Sequence, residues 1–278
     1  MGNKTKIDWA DASWNPVTGC LHGCEYCYAR GIARRFSCEG QTLDAPAELQ
    51  RVWLEDGGAD LRQKGCHVLR YPVRLLDSGR ICPYPFAFAP TLHRYKLDEL
   101  QHWKKPRTIF VCSMADLFGE WVPDEWIIEV LEACCKAPQH RYLFLTKNPN
   151  RYTQAALKDI LVADDNFWYG TSTPKVDDPA FWSRPSPASK GRYYHTFISV
   201  EPMLERFGKG GKRGSVALTD WVIVGAETGN RKGRVVPEKD WVMELAEECN
   251  KYKKPIFMKE SLKEIMGDDF IQEFPWET

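Results

Sequence analysis

The stretch Arg107–Thr146, RTIFVCSMADLFGEWVPDEWIIEVLEACCKAPQHRYLFLT, decides how the chain is read. It opens on RTIFVC, Arg107–Cys112, a short β-branched and aromatic run. Pro123 then precedes a helix whose apolar residues Trp126, Ile127, Val130, Leu131 and Cys134 share one face. YLFLT, Tyr142–Thr146, is the next strand. Both strands are continuous apolar runs rather than alternating ones, as in parallel strands covered on both faces. A helix between them makes a βα unit.

Working outward, the same pattern recurs. A helical stretch covers Tyr152–Leu161, and strands follow at Phe167–Thr171, Phe197–Val200 and Trp221–Gly225. Pro237 precedes a helix with Trp241, Val242, Leu245, Ala246 and Cys249 on one face, and Ile256–Lys259 closes the series. Phe86–His93 is a weaker strand, and Trp14–Val17 is read as the first. The expected fold is α/β: one parallel (β/α) barrel domain over residues 1–278, partial or complete, with an open doubly wound sheet as the alternative. Residues 37–85 fit the pattern poorly and are read as an insertion near the first loop, too long to lack structure of its own.

The strands end in polar residues. Ser113 and Asp116 follow the first of them, Lys147 and Asn148 the next, then Ser172 and Thr173, Glu201, Glu227, and Lys259 with Glu260. In a barrel these positions gather at the C-terminal mouth, where active sites form.

Composition narrows the function. Of the 278 residues 43% are hydrophobic and 13% aromatic, enough for a packed core. Lys plus Arg number 38 and so do Asp plus Glu, so no bulk positive field draws the protein to DNA or an anionic membrane. No apolar run approaches the ~18 residues of a membrane span. MGNKTKIDWADASW lacks the apolar core of a signal peptide, which makes the cytoplasm the expected compartment. In a reducing compartment ten cysteines are not expected to pair; most of the scattered ones, Cys38 and Cys82 among them, are read as buried small hydrophobes.

Three cysteines cluster, in Gly19-Cys20-Leu21-His22-Gly23-Cys24-Glu25-Tyr26-Cys27-Tyr28, with spacing C-x3-C-x2-C. Gly19 and Gly23 let the backbone turn the thiols inward. Thiolates are the usual ligands of iron–sulfur clusters, and three of them leave one iron of a cubane without a protein ligand. A Cys3His zinc site using Cys20, His22, Cys24 and Cys27 is the competing reading, although His22 lies awkwardly between two ligands.

The C-x3-C-x2-C loop after a first strand, with parallel βα units behind it, resembles the radical S-adenosyl-L-methionine (SAM) superfamily. The phrases WNPVTGC, IFVCSMADLFGEWVP, FLTKNPNRY, YGTST, FISVEPML and DWVIVGAETG are similar to a phage- and prophage-borne branch of it, distantly related to spore photoproduct lyase. The resemblance covers nearly the whole chain outside Ser37–Pro85. It implies a 4Fe–4S cluster on Cys20, Cys24 and Cys27, SAM chelated at the open iron, and a 5′-deoxyadenosyl radical. It also implies a reductase, flavodoxin or ferredoxin as electron donor, and places Tyr26 beside the adenine. SAM brings a carboxylate, an amine, a ribose diol and an adenine. Ser113, Asp116, Lys147, Ser172, Glu201 and Glu227 are the strand-end groups able to meet them, Lys147 suiting the carboxylate and Glu201 the amine or diol.

The resemblance further implies a candidate reaction on phage DNA in the host cytoplasm: isomerisation of an N-linked glycyl-thymidine to its C-linked form during thymidine hypermodification. The base would be flipped out to reach the mouth, with Trp121, Trp168 and Tyr169 weighed as stacking or packing residues. DNA repair in the manner of spore photoproduct lyase, another substrate (RNA, a peptide or a small metabolite) and a non-catalytic metal-binding module stay open. Gly225–Gly229 is a tight turn and not a dinucleotide fingerprint. The basic cluster Lys209–Arg213 is a candidate phosphate contact. Cys112 is weighed as a hydrogen-atom donor or a buried strand residue.

Overall fold

The structure is a computed structural model and describes residues 5–43, 65–154, 160–176, 194–207, 213–229 and 231–277. The chain forms two compact units, one of Met1–Asn3 with Ala12–His140 and one of Lys4–Asp11 with Arg141–Thr278.

In the first unit β1 (Ala12–Trp14) pairs in parallel with β5 (Thr108–Val111), Ala12 opposite Ile109 and Trp14 opposite Val111. A second, small sheet carries β2 (Val17–Thr18), β3 (His67–Leu69) and β4 (Thr91–His93), with β4 in the middle, antiparallel to β2 and parallel to β3. The expected first strand Trp14–Val17 is therefore corrected. The chain turns between Trp14 and Val17, so β1 and β2 belong to different sheets. The expected strand Phe86–His93 shortens to Thr91–His93, because Phe86 and Ala87 sit in turns, Ala87 at φ 52.

Helix α1 spans Tyr28–Arg35, and α2 spans Asp124–Cys135. Pro123 caps α2 at φ −60, Asp124 and Glu125 meet the positive helix end, and the five expected apolar residues are all buried. Within the insertion, β3, Val73 and Leu75 pack around a Cys38–Cys82 disulfide whose Cα atoms lie 6.1 Å apart. The reading of these two cysteines as unpaired thiols is corrected: 44 residues apart in sequence, they meet where the segment ending at Leu43 bridges to Leu75.

In the second unit β6 (Arg141–Thr146), β7 (Phe167–Ser172), β8 (His195–Val200), β9 (Trp221–Val224) and β10 (Ile256–Met258) lie in sequence order, every neighbouring pair parallel. A doubly wound sheet reverses its strand order at a switch point. No reversal occurs here, so the winding is that of a parallel (β/α) barrel, present as a partial barrel. Helices α3 (Arg213–Leu218) and α4 (Lys239–Lys251) accompany β9 and β10.

The two faces of these strands differ. Ile198, Val200, Val222, Val224, Ile256 and Met258 pack against Val242, Leu245, Ala246 and Cys249 of α4. The alternate residues therefore form the inner face. At its N-terminal end Trp221 contacts Trp9, Trp168, Phe197, Phe257, Phe274 and Trp276, with ring centroids 5.2–6.5 Å apart. Toward the C-terminal end the inner residues become Ser172 and Ser199, which are paired in register. This gradient fills the bottom of the unit with aromatic rings and leaves polar groups at the strand ends.

Of the expected helix Tyr152–Leu161, Tyr152 and Thr153 belong to a short 3₁₀ turn at Pro149–Thr153, and residues 155–159 lie outside the described residues. So does most of the basic cluster 209–213. Among the described residues no helix is long and apolar enough to cross a membrane.

Candidate active site

The cysteine loop leaves β2 at Gly19. Its amide donates to Met114 O at 2.8 Å, and Gly19 forms a parallel bridge with Ala115, just past β5. Gly19 has φ +88, and a Cβ there would lie 2.2 Å from Ala89 O, so only glycine fits. Cys20 N donates to Phe88 O at 3.2 Å, Gly23 turns at φ +72, and Cys27 N closes a turn onto Cys24 O at 3.3 Å. Cys27 then caps α1, its sulfur accepting from Arg30 N at 3.4 Å. Cys20, Cys24 and Cys27 are all free, half-buried thiols. Burial pushes the Cys20 thiol up to about 12, with Cys27 and Cys24 close enough to add to the rise. A metal that binds this sulfur has to displace its proton.

A second layer holds the loop. His22 Nε2 lies 2.7 Å from Asp116 Oδ2, and Asp116 Oδ1 accepts from Phe118 N at 3.1 Å. The His22 ring stands edge-on to Trp121 at 4.8 Å. Asn15 Oδ1 accepts from Met114 N and Ser113 Oγ at 2.9 and 3.2 Å, and Tyr28 OH donates to Ser113 O at 2.7 Å. Ser113 and Asp116, expected as cofactor contacts, are thus tied to the residues around the cysteine loop. Tyr26 is half-buried in that loop. His22 hydrogen-bonds a carboxylate, which gives it an occupation other than metal ligation.

Among the described residues no three His, Cys, Asp or Glu side chains converge on a point that would hold a single metal ion. A cubane differs from such a site: each thiolate takes its own iron, so the sulfurs need only face a common volume. Three free thiols on one glycine-hinged loop, with their neighbours already hydrogen-bonded elsewhere, fit that donor set.

The other expected residues belong to the second unit. Lys147 Nζ donates to Ser172 Oγ at 2.8 Å. Ser199, opposite Ser172, is fully buried and its Oγ has no hydrogen-bond partner. A buried orphan hydroxyl costs on the order of 1–3 kcal/mol unless something reaches it. Glu201 pairs with Lys259. A Cβ on Gly225 would lie 2.9 Å from Lys259 Cδ and 3.4 Å from Glu201 Cγ, so this glycine makes the room for the pair. Glu227 is buried and takes both Nε and Nη2 of Arg231, at 2.6 and 2.7 Å. The Arg231 guanidinium holds its carboxyl below the usual carboxylate range.

Of the expected residues, Lys147 and Ser172 come together, while Glu201 and Glu227 each have a basic partner of their own. Sequence reasoning missed Ser199, Arg231 and the role of His22. Ser199 left one signal, a hydroxyl inside the apolar run Phe197–Val200. Trp168 and Tyr169 are buried core residues, Trp168 stacked on His195 at 4.5 Å and Tyr169 hydrogen-bonded to Val162. Cys112 is fully buried at φ 60, and burial pushes its thiol up to about 12.

A solved structure of spore photoproduct lyase complexed with dinucleoside spore photoproduct is similar at a TM-score of 0.45 and 11% identity, covering 99% of this chain and 79% of that one. No protein of curated function matches the sequence. A family model described as "Protein of unknown function (DUF5131)" matches residues 4–265, and the chain belongs to that family.

Proposed function

We propose that the protein is a radical SAM enzyme in which Cys20, Cys24 and Cys27 hold a 4Fe–4S cluster. The observation that carries this reading is the loop itself: three free thiols spaced C-x3-C-x2-C, hinged on two positive-φ glycines and tied to the C-terminal side of β5. When bound, a cubane with one open iron supplies an electron that splits SAM and yields a carbon radical. The chain's own residues bind and orient. Tyr26 lies in the loop for the adenine. Lys147 offers a cation to a carboxylate, and the Ser199 hydroxyl awaits a polar partner. The aromatic plug around Trp221 keeps water from entering at the N-terminal end of the second unit.

For the substrate we propose a modified thymine in phage DNA, N-linked glycyl-thymidine. The α-carbon between amine and carboxylate loses a hydrogen atom, and the thymine methylene moves from nitrogen to that carbon. The nitrogen then takes the hydrogen atom back, so composition and charge are unchanged. Similarity of the sequence phrases to the phage branch supports this reading.

Anaerobic reconstitution with iron and sulfide tests the cluster. Visible iron–sulfur absorption is expected in the wild type and not in Cys24→Ala. 5′-Deoxyadenosine should appear when SAM and dithionite are added. DNA carrying the N-linked nucleoside, treated and digested, should give a nucleoside of unchanged mass and new retention time. An unaltered chromatogram removes the isomerase reading while leaving the radical chemistry standing.

A further inference from the structure

Helix α1 starts at the residue after Cys27 and carries an apolar stripe on its exposed side. Tyr28, Ile32 and Phe36, spaced four residues apart, are 50%, 39% and 53% exposed, and Leu21 in the cysteine loop is 51% exposed. Large apolar side chains left in water this way, side by side, mark a contact surface. Cations frame the stripe: Arg30, Arg34 and Arg35 are exposed, and α1 has no acid in its first turn. Between Gly19 and Phe36 Glu25 is the one acid against those three arginines. Gly31, exposed in the middle of the helix, has nothing within 4 Å of where a Cβ would stand. A glycine there weakens the helix by about 1 kcal/mol relative to alanine. What it provides is a place where another backbone can come close.

Resting on the cluster reading above, we infer that the Tyr28–Ile32–Phe36 face of α1 docks an acidic one-electron donor protein that reduces the cluster. An apolar centre inside a charged rim is the anatomy of a protein interface. A duplex would be met by a more uniformly polar and cationic surface, to which Leu21, Ile32 and Phe36 contribute little. The position suits electron transfer. Eight residues at 1.5 Å each keep the helix within about 12 Å of Cys27 along its axis. One electron leaves the donor's flavin or iron–sulfur centre, which is oxidised, and enters the cubane, which is reduced; no bond forms and no atom moves. Complementary charge speeds such encounters roughly 10- to 1,000-fold and makes them sensitive to salt.

The test uses the reconstituted protein, reduced flavodoxin as the acidic donor, and dithionite as a small donor that needs no docking face. In the double variant Arg34→Glu/Arg35→Glu, reduction by flavodoxin should slow at least about tenfold at low salt, and flavodoxin affinity should weaken by a similar factor. Reduction by dithionite should stay within about twofold of wild type. Arg34→Gln/Arg35→Gln should show a smaller loss in the same direction, and Ile32→Ser should weaken affinity without altering its salt dependence. Unchanged flavodoxin affinity and rate in the charge-reversed protein would overturn the inference. So would a drop in duplex-DNA affinity with flavodoxin-driven reduction intact, which assigns the face to nucleic acid. If the wild type forms no cluster, the cluster reading fails, and the flavodoxin affinities alone still decide the docking face.

Discussion

His22 Nε2 and Asp116 Oδ2 lie 2.7 Å apart, joining the middle of the cysteine loop to the segment that follows β5. The two residues are 94 positions apart in sequence, and the bond fixes where the loop rests. Asp116 also accepts from Phe118 N, so its carboxylate braces both sides. Asp116→Ala should therefore loosen the loop without touching a thiol. Groups that hold metal ligands in place typically contribute 10–100-fold in affinity. Iron retention against a chelator should fall by about that factor, while circular dichroism stays unchanged. Wild-type retention would show that the pair does not position the loop.

Gly19 allows a sharper substitution. Gly19→Ala places a methyl 2.2 Å from Ala89 O at φ +88, with backbone on both sides. The loop cannot keep its bonds to Met114 and Phe88. A purified Gly19→Ala chain should fail to bind a full complement of iron, and any folded population should melt several degrees lower, as expected for a strained position costing on the order of 1–3 kcal/mol.

Gly225→Ala is the matching change in the second unit. The added carbon, 2.9 Å from Lys259 Cδ, must displace the flexible lysine and disturb its pairing with Glu201. A loss of about 1–3 kcal/mol in unfolding free energy is expected. Weakened SAM binding by calorimetry would place the pair at the cofactor; unaltered SAM affinity at reduced stability would make it structural.

Acid should find Glu227. Arg231 lowers its pKa from the ordinary 4.5, so the folded state holds this group ionised where the unfolded state begins to protonate. The resulting stability is present above pH 4.5 and is lost as pH falls through the lower folded value. Glu227→Gln should flatten the dependence of unfolding free energy on pH below about 4.5 and leave the slope above pH 6 unaltered. Equal acid slopes in the two proteins would refute the assignment.

The Cys38–Cys82 bridge fixes a thiol count. Eight of the ten cysteines lie outside the disulfide, so alkylation of the unfolded, unreduced protein should label eight, and ten after reduction. Ten labelled sites without reductant would show the pair to be open.

Much of the fold was legible because its signals are local. The continuous apolar runs at Thr108–Val111 and Arg141–Thr146, and the spacing of Trp126, Ile127, Val130 and Leu131, follow from covering a strand on both faces and a helix on one. The split of Trp14–Val17 between two sheets was hidden, because it is decided by the partner strands β5 and β4, far along the chain. Among site residues, the three cysteines declared themselves by spacing. Asp116, Glu201 and Glu227 declared only that they end strands, and which side chain meets each carboxylate is set by the approach of His22, Lys259 and Arg231.

The amino-acid order by itself determined the parallel βα alternation and the C-x3-C-x2-C thiol loop, since both are written in neighbouring residues. Only the tertiary structure decided that Ser199 is a buried hydroxyl without a partner, that Cys38 and Cys82 join, and that Tyr28, Ile32 and Phe36 remain partly exposed. These depend on which surfaces cover one another once the chain closes, and burial is a property of the packed whole that no local window of sequence contains.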